Sequence, residues 1–189
     1  MKTPEDAFKR ILEVLDLHEI PYMVGGSLAS SLYGIPRASM DVDLVANLRA
    51  DQVDQFAAAL KGDFYADAEM MQQALEYGRS FNIIHYASSL KFAIFSLRKD
   101  EDSQAQFQRR RFAETRAFGD EPIECAFASA EDTILWYRAG GEVSERQWHD
   151  LRGILQTSGG QLDLDYLNAW APRLGVADLL ERLLTSSGT

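Results

Sequence analysis

Hydrophobic and polar residues in the first two thirds of the chain recur at spacings that predict alternating helices and strands. Phe8, Leu12 and Leu15 lie at the spacing of one helix face, and the preceding Thr3-Pro4 is typical of a helix start. Strands are predicted at residues 22–24, 41–46, 81–86 and 90–97, with a hairpin at 111–118 and 122–127. Helices are expected at residues 27–33, 50–60 and 68–77.

The pattern becomes helical throughout from Ser129 onward. Ser129 is a candidate helix cap with Asp132 at its third position, and Gly140-Gly141 is expected to end that helix. Further helices are expected from residue 144, at 163–170 and at 176–184, while the polar segment 100–107 has no clear pattern. We therefore predict an α+β fold. A small mixed β-sheet with flanking helices would occupy residues 1–128, followed by a C-terminal helical bundle at 129–189.

Composition and charge exclude several classes of protein. The chain has 189 residues, 46% of them hydrophobic and 25% charged, which is typical of a globular protein. The net charge of −10 disfavours general binding to nucleic acid or to anionic membranes. Cys125 is the only cysteine, so there is no disulfide framework, and a reducing, cytoplasmic location is expected. No apolar run approaches the roughly 18 residues of a membrane span.

Two aspartates on a predicted strand form a candidate metal site. Asp41 and Asp43 alternate, so their side chains share one face of the strand with Cα atoms roughly 6.6 Å apart. Two carboxylates this close repel each other unless a cation lies between them. Because carboxylate oxygens are hard ligands, the pair favours Mg²⁺ or Mn²⁺, and one bridging carboxylate can serve two such ions.

The segment before this strand is a candidate phosphate site. Gly25-Gly26-Ser27 links a predicted strand to a predicted helix, where backbone N–H groups can face an anion and glycines allow close approach. Ser27, at about the N-cap position, adds a hydroxyl, and Arg37 in the following loop is placed to neutralise phosphate charge. Together with the aspartates, which follow Ser27 after thirteen intervening residues, this arrangement indicates a site for a metal–nucleoside triphosphate complex.

Each of these features also has a simpler interpretation. Gly-Gly after a strand is often only a turn, and Asp-x-Asp in a strand is often only a solvated face; their joint occurrence favours function. His85 is either a structural histidine or a ligand, with the structural role favoured. The cluster Arg109-Arg110-Arg111 is either a solvated face or a contact to triphosphate or RNA.

Residues 21–45 resemble the nucleotidyltransferase superfold, the polymerase-beta-like group, and most closely bacterial nucleotidyltransferase-like proteins of the AbiEii type. The motif of that group is a hydrophobic residue, Gly-Gly/Ser, a loop and Asp-x-Asp. Here it is matched by Val24, Gly25, Gly26, Ser27, Asp41 and Asp43. Looser likeness at residues 81–85, 90–95 and 129–135 extends the resemblance over most of the chain.

The resemblance implies a Mg²⁺- or Mn²⁺-dependent transfer of a nucleotidyl group from a nucleoside triphosphate to an acceptor hydroxyl, with release of pyrophosphate. Asp41 and Asp43 would be the catalytic metal ligands. Gly25, Gly26, Ser27 and Arg37 would bind the nucleotide. The acceptor stays open among RNA, protein and small molecules, and the AbiEii likeness raises a toxin–antitoxin role with a protein partner.

One departure from the family pattern leaves the function open. Active relatives carry a third acid on a later strand, in a Lys-hydrophobic-Asp pattern, where this chain has Ala93 after Lys91. The two-metal site would then be incomplete, and Glu69, Glu76 and Glu124 are alternative acids that the sequence cannot place. Three hypotheses follow: an active nucleotidyltransferase, a degenerate relative that binds nucleotide or a partner without turnover, and a structural relative that binds neither.

Overall fold

A computed structural model of the chain describes residues 2–137 and 143–186. The strands are β1 Tyr22–Val24, β2 Asp41–Ala46, β3 Phe64–Tyr65, β4 Ser80–His85, β5 Lys91–Ser96, β6 Arg111–Thr115 and β7 Ile123–Phe127. The helices are α1 Pro4–Leu17, α2 Gly26–Tyr33, α3 Val53–Leu60, α4 Ala68–Glu76, α5 Glu101–Gln108, α6 Ala130–Trp136, α7 Glu145–Ser158, α8 Leu164–Arg173 and α9 Ala177–Ser186. The predicted helix end at Gly140-Gly141 lies outside the described residues.

The strands form one mixed sheet in the order β3-β4-β5-β2-β1-β7-β6. β1 is antiparallel to β2 and parallel to β7, and β2 is parallel to β5. The pairs β3–β4, β4–β5 and β6–β7 are antiparallel, and the last is the predicted hairpin. The predicted fold class, a mixed α/β sheet with flanking helices and a helical C-terminal part, is confirmed.

One face of the sheet is buried under α1, α3 and α4. In β2, Val42 and Leu44 are completely buried on this face, and Phe92 in β5 is buried beside them. Helix α1 begins with a capping box in which Thr3 and Asp6 satisfy each other's backbone N–H groups. Because side chains alternate along a strand, the aspartates of β2 must lie on the opposite face.

The C-terminal helices pack around a second apolar cluster and against α2. This cluster contains Ile134, Leu151, Ile154, Leu167 and Leu183, which are all fully buried. At the contact with α2, a Cβ on Gly34 would lie 2.7 Å from the backbone nitrogen of Ile154, so the two segments approach closely because residue 34 is glycine. The division at residues 128 and 129 stays a prediction.

None of the helices in the described residues is long and apolar enough to cross a membrane.

Candidate active site

The register of the sheet places Asp41 and Asp43, the acid pair, on the face opposite the buried core. In the parallel pairing of β2 with β5, Asp41 lies opposite Lys91 and Asp43 lies opposite Ala93. Asp41 is exposed, whereas Asp43 is partly buried. The two carboxylates therefore project from the same face of one strand, as the alternation of side chains predicts.

Gly25 and Gly26, the glycine loop, lie directly beside this acid pair. The N–H of Gly25 donates a hydrogen bond of 2.8 Å to the backbone oxygen of Asp43 and extends the pairing of β1 with β2. Gly26 has a φ of +54°, and a Cβ at this position would overlap the carboxylate of Asp43. The chain thus brings Asp43 against the first turn of α2, and residue 26 has to be glycine for both its conformation and its contact.

A tryptophan that the sequence did not single out for the site closes the other side of the glycine loop. A Cβ on Gly25 would lie 2.8 Å from Cζ3 of Trp136, at the end of α6. The indole Nε1 of Trp136 donates a hydrogen bond of 2.9 Å to Oε1 of the buried Gln106 on α5. The space beside Gly25 is therefore filled by the indole of Trp136, as the space beside Gly26 is filled by the carboxylate of Asp43.

The first turn of α2 begins beside the acid pair, at the contact of Gly26 with Asp43, and contains backbone N–H groups without partners in the helix. Gly25 is the N-cap, so Ser27 is the second residue of the helix, and the expectation that Ser27 lies at about the N-cap is wrong by two positions. The N–H groups of Gly26, Ser27 and Leu28 have no acceptor within the helix, because the first turn has no preceding turn. The positive end of α2 is therefore directed toward the acid pair.

The charges in the site are unevenly solvated. Nζ of Lys91 lies 2.7 Å from Oδ1 of Asp41, and the two side chains are 41% and 60% exposed. Burial raises the pKa of Asp43, the neighbouring Asp41 charge raises it further, and Lys91 opposes both effects. The ionised form of Asp43 is thus unfavourable in the protein without a bound cation, and a cation beside it would relieve that cost.

The sheet beside the acid pair is open to solvent. We call this region the open sheet face: Asn82 and Ile84 of β4 with Lys91, Ala93 and Phe95 of β5. Asn82 pairs with Ala93, so these two residues continue the row that starts at Asp43. Asn82 is exposed and Phe95 is 44% exposed. The sheet surface formed by β4 and β5 beside the acid pair is therefore accessible to solvent.

Ala93, the position where the family resemblance implies a third acid, holds only a methyl group. In the structure it lies opposite Asp43 in the pairing of β2 with β5. Within residues 2–137 and 143–186, no group of three or more histidine, cysteine, aspartate or glutamate side chains could hold a metal ion. None of Glu69, Glu76 and Glu124 therefore completes a three-residue ligand set in this part of the chain.

Arg37 is engaged away from the acid pair. Its Nε and Nη2 donate to the two carboxylate oxygens of Asp150 at 2.8 and 2.9 Å, and the Asp150 side chain is only 1% exposed. The hydroxyl of Tyr137 donates to the same carboxylate at 2.9 Å. The structure thus connects Arg37 to α7 and does not bring it together with the acid pair or the glycine loop. No sequence pattern marks Asp150 beyond its place in a predicted helix.

The remaining candidates also have structural partners. His85 is fully buried on the core face of β4, and its Nδ1 lies 2.7 Å from Oγ of Ser88. Arg109 lies 3.7 Å above the ring centre of Tyr166 and within 3.3 Å of a carboxylate oxygen of Glu131. These contacts connect α5 to the C-terminal helices, so the basic cluster has at least one member with a packing role.

Comparisons with known proteins show similarity in structure and not in sequence. Neither a protein-family model nor a curated protein matches the chain. The fold is similar to that of the antibiotic-resistance factor ANT(2'')-Ia in solution, with a TM-score of 0.51 and 15% identity, covering 93% of this chain and 95% of that one. This likeness and the sheet topology confirm the nucleotidyltransferase fold that the sequence resemblance implies.

Two further structures are similar at lower scores. One is ANT(2'')-Ia in complex with adenylyl-2''-tobramycin, with a TM-score of 0.41 and 14% identity over 95% of this chain and 92% of that one. The other is the lincosamide antibiotic adenylyltransferase LnuA with lincomycin bound, with a TM-score of 0.43 and 18% identity over 83% of this chain and 99% of that one.

Proposed function

We propose that this protein is a Mg²⁺-dependent nucleotidyltransferase that uses a nucleoside triphosphate to modify an acceptor hydroxyl. The observation that supports the proposal most directly is the contact between Asp43 and Gly26. It joins a carboxylate pair to the N-terminus of a helix within one small unit of the fold. Metal and phosphate sites must be adjacent for phosphoryl-type chemistry, which depends on positioning and charge neutralisation.

The residues of the acid pair fit a magnesium ion. Their oxygens are the hard ligands that Mg²⁺ prefers, and Mg²⁺ is commonly held by one or two carboxylates with substrate phosphates completing the shell. Burial raises the pKa of Asp43, so a bound cation would stabilise its ionised form. When bound, the ion would neutralise phosphate charge and favour attack at phosphorus.

The first turn of α2 would bind the triphosphate. The donors would be the N–H groups of Gly26, Ser27 and Leu28, which have no acceptor within the helix, and the hydroxyl of the buried Ser27. Gly25 contributes by allowing the loop to pack, since its own N–H is bonded to Asp43. A role for Arg37 in nucleotide binding stays a prediction, and it requires the guanidinium to leave Asp150.

The acceptor would approach over the open sheet face. Its hydroxyl oxygen attacks the α-phosphorus, the bond between that phosphorus and the oxygen bridging to the β-phosphate breaks, and pyrophosphate leaves with the bond's electrons. The hydroxyl proton passes to water, which reaches this face. Asp41 and Asp43 would hold the ion, whose charge would stabilise the reacting phosphate, and the N-terminus of α2 would orient the departing phosphates.

A labelling assay tests this proposal. The protein is incubated with each labelled nucleoside triphosphate, Mg²⁺ or Mn²⁺, and total RNA, lysate protein or hydroxyl-bearing compounds such as tobramycin and lincomycin. We expect label transfer by the wild type and none by the variant with Asp41→Asn and Asp43→Asn. The matched control carries Asp54→Asn and Asp63→Asn, two exposed acids elsewhere, and should keep full transfer. Equal transfer by the wild type and the acid-pair variant would contradict the proposal.

Binding without turnover is the second candidate, and Ala93 is the observation that favours it. Loss of one electrostatic group from a site of this kind typically lowers a rate about 10²- to 10³-fold. Calorimetry with a non-hydrolysable triphosphate distinguishes the two functions, because the second candidate gives binding heat but no label transfer. An AbiEii-type identity, a toxin–antitoxin partner and a cytoplasmic location stay predictions.

A further inference from the structure

One edge of the sheet, strand β6, is open and carries an exposed aromatic side chain. The strand order ends at β6, so within the described residues no strand pairs with its outer side. Alternate backbone N–H and C=O groups of β6 therefore point away from β7 without a strand partner. Phe112 in β6 is 68% exposed, and its partner in β7 is the small Ala126. The strand thus offers both backbone groups and an apolar surface to another strand.

The charges on the Phe112 face of β6 are poorly compensated. Glu114 shares this face because side chains alternate along a strand, and it lies directly opposite Glu124 of β7. Both glutamates are exposed, and like charges directly opposite each other in a sheet are destabilising. In the described part of the chain, Glu114 forms no ion pair with a cation. A positive charge on the outer side of β6 would therefore offset the repulsion.

Arg110, immediately before β6, carries a positive charge on the same face. Its guanidinium lies 4.3 Å from the ring centre of Phe107 and donates a hydrogen bond of 2.8 Å to the backbone oxygen of Phe107. Phe107 packs with Met23 and Val45. The pairings across the sheet place four residues in one row and hence on one face: Val45, Met23, Ala126 and Phe112. Arg110 and Glu114 therefore flank Phe112 on that face.

We propose that two copies of this protein pair through β6 as antiparallel strands, about a two-fold axis that passes between their Phe112 residues. The axis is perpendicular to the sheet, so residues opposite each other share a face. In this register Phe112 lies opposite the partner's Phe112, and Arg110 lies opposite the partner's Glu114. Symmetry repeats the ion pair, so two ion pairs flank one aromatic pair. The inference does not depend on the proposed function.

The neighbouring symmetric registers are less favourable. An axis at Ala113 would place Phe112 opposite the partner's Glu114, and an axis at Glu114 would place two carboxylates opposite each other. An axis at Arg111 would place two arginines opposite each other. Only the axis at Phe112 joins opposite charges and apolar side chains at once.

Sedimentation equilibrium at increasing protein concentration tests the pairing. One chain has a mass of 21.2 kDa, and we expect a reversible equilibrium with a species of twice that mass. Its Kd should be on the order of 10 μM, since two short strands form a small interface. A protein that stays monomeric well above this concentration, or that forms only species larger than a dimer, would overturn the inference.

Charge reversal identifies the contact. Glu114→Arg places arginine opposite the partner's Arg110 twice per dimer, so we expect the Kd to rise about 10-fold or more. Because the new arginine also faces Glu124 within its own chain, thermal stability of the monomer should not fall. Arg110→Glu should weaken pairing in the same way, and combining the two substitutions should restore the Kd to within about 3-fold.

A matched control makes the same charge change off the strand. Glu121→Arg alters an exposed residue before β7 and should keep the Kd within about 2-fold. Equal dimerisation of Glu114→Arg and Glu121→Arg would overturn the proposed register, as would a double variant as weak as either single variant.

Two phenylalanine variants distinguish the β6 edge from the open sheet face. Phe112→Ser should raise the Kd about 10-fold, because it removes the aromatic pair at the axis. Phe95→Ser removes an exposed phenylalanine from the open sheet face and should change the Kd by less than about 2-fold. A dimer weakened by Phe95→Ser and not by Phe112→Ser would overturn pairing through β6.

Discussion

The carboxylate of Asp43 lies against the Cα of Gly26, so closely that no side chain can be accommodated at position 26. Gly26 also has a φ of +54°, a conformation that other residues adopt only at a cost. The contact fixes the start of α2 relative to β2. It therefore determines how the backbone donors of the helix and the two aspartates face a common ligand.

Gly26→Ala should separate these two parts of the site. The added methyl group would displace the Asp43 carboxylate and strain the backbone, so we expect the free energy of unfolding to fall by about 2–3 kcal/mol. Mn²⁺ affinity should fall at the same time. Urea denaturation measures the first effect, and calorimetry with Mn²⁺ measures the second.

Gly78 offers a matched control for this substitution. Its φ of +61° is nearly the same, but a Cβ there would meet nothing within 4 Å. Gly78→Ala should therefore cost only the backbone strain, about 1 kcal/mol. Adding Asp43→Ala to Gly26→Ala removes the overlapping carboxylate, so it should recover most of the difference in unfolding free energy between Gly26→Ala and Gly78→Ala. Equal losses of unfolding free energy in Gly26→Ala and Gly78→Ala would show that the contact of residue 26 with Asp43 does not affect stability.

Asp43→Asn should stabilise the protein while removing one ligand of the proposed metal site. Burial and the nearby Asp41 charge raise the pKa of Asp43, so the folded protein retains a proton that the unfolded chain loses. Stability accordingly decreases as the pH rises from about 4 through the raised pKa, and asparagine lacks this decrease. We expect a gain of roughly 0.5–1 kcal/mol near pH 7, a smaller gain near pH 4, and loss of Mn²⁺ binding.

Asp41→Asn is the comparison for that prediction. Asp41 is exposed and already paired with Lys91, so its replacement should change stability by less than about 0.5 kcal/mol at either pH. Chemical denaturation at the two pH values measures both variants. A destabilised Asp43→Asn protein would mean that the Asp43 charge has a stabilising partner after all.

Much of the fold could be predicted because its signals are local. The bounds of β1 and β2 follow from alternation and from Pro21, and the capped start of α1 follows from Thr3-Pro4. β3 has only two residues, too few for a period to emerge. Helix α5 was not predicted because its sequence is polar and buries only Gln106 and Phe107.

The candidate site likewise contains a part that local sequence patterns predict and a part that only the packing of distant segments brings together. The glycine loop and the acid pair belong to one short segment, so their proximity could be predicted from strand and helix spacing. Lys91, Trp136 and Asp150 come from distant segments, and only the register of β5 and the packing of α6 and α7 bring them to their positions. Arg37 is the reverse case, since its place in the loop suggested phosphate, whereas its ion pair with Asp150 on α7 could not be predicted from the sequence.

Arg37→Ala should destabilise the contact between the loop and α7. The substitution leaves the carboxylate of Asp150 buried without its bidentate partner, and removing one member of a buried pair typically costs about 3 kcal/mol or more. Thermal unfolding measures this loss. If the variant remains folded at low temperature, calorimetry with a non-hydrolysable triphosphate then tests separately whether Arg37 also binds nucleotide.

A second bidentate pair on the surface provides the control. Nε and Nη2 of Arg49 bond to Asp51 at 3.1 and 3.2 Å, with both side chains largely exposed. Arg49→Ala should cost less than about 0.5 kcal/mol, because water replaces the lost contact. Adding Asp150→Asn to Arg37→Ala should recover part of its cost. Similar losses for Arg37→Ala and Arg49→Ala would show that Asp150 is not isolated from solvent.

Cys125 should report on unfolding and on ligand binding together. It is the only cysteine and is fully buried in β7, where burial, with Asp16 and Glu124, raises the pKa of its thiol to about 12. Reaction with a disulfide reagent near pH 8 should therefore be at least about 1,000-fold slower than for free cysteine, because the protein must open first. Ligands that bind the folded protein should slow it further. Complete labelling within seconds in native buffer would show that β7 opens without global unfolding.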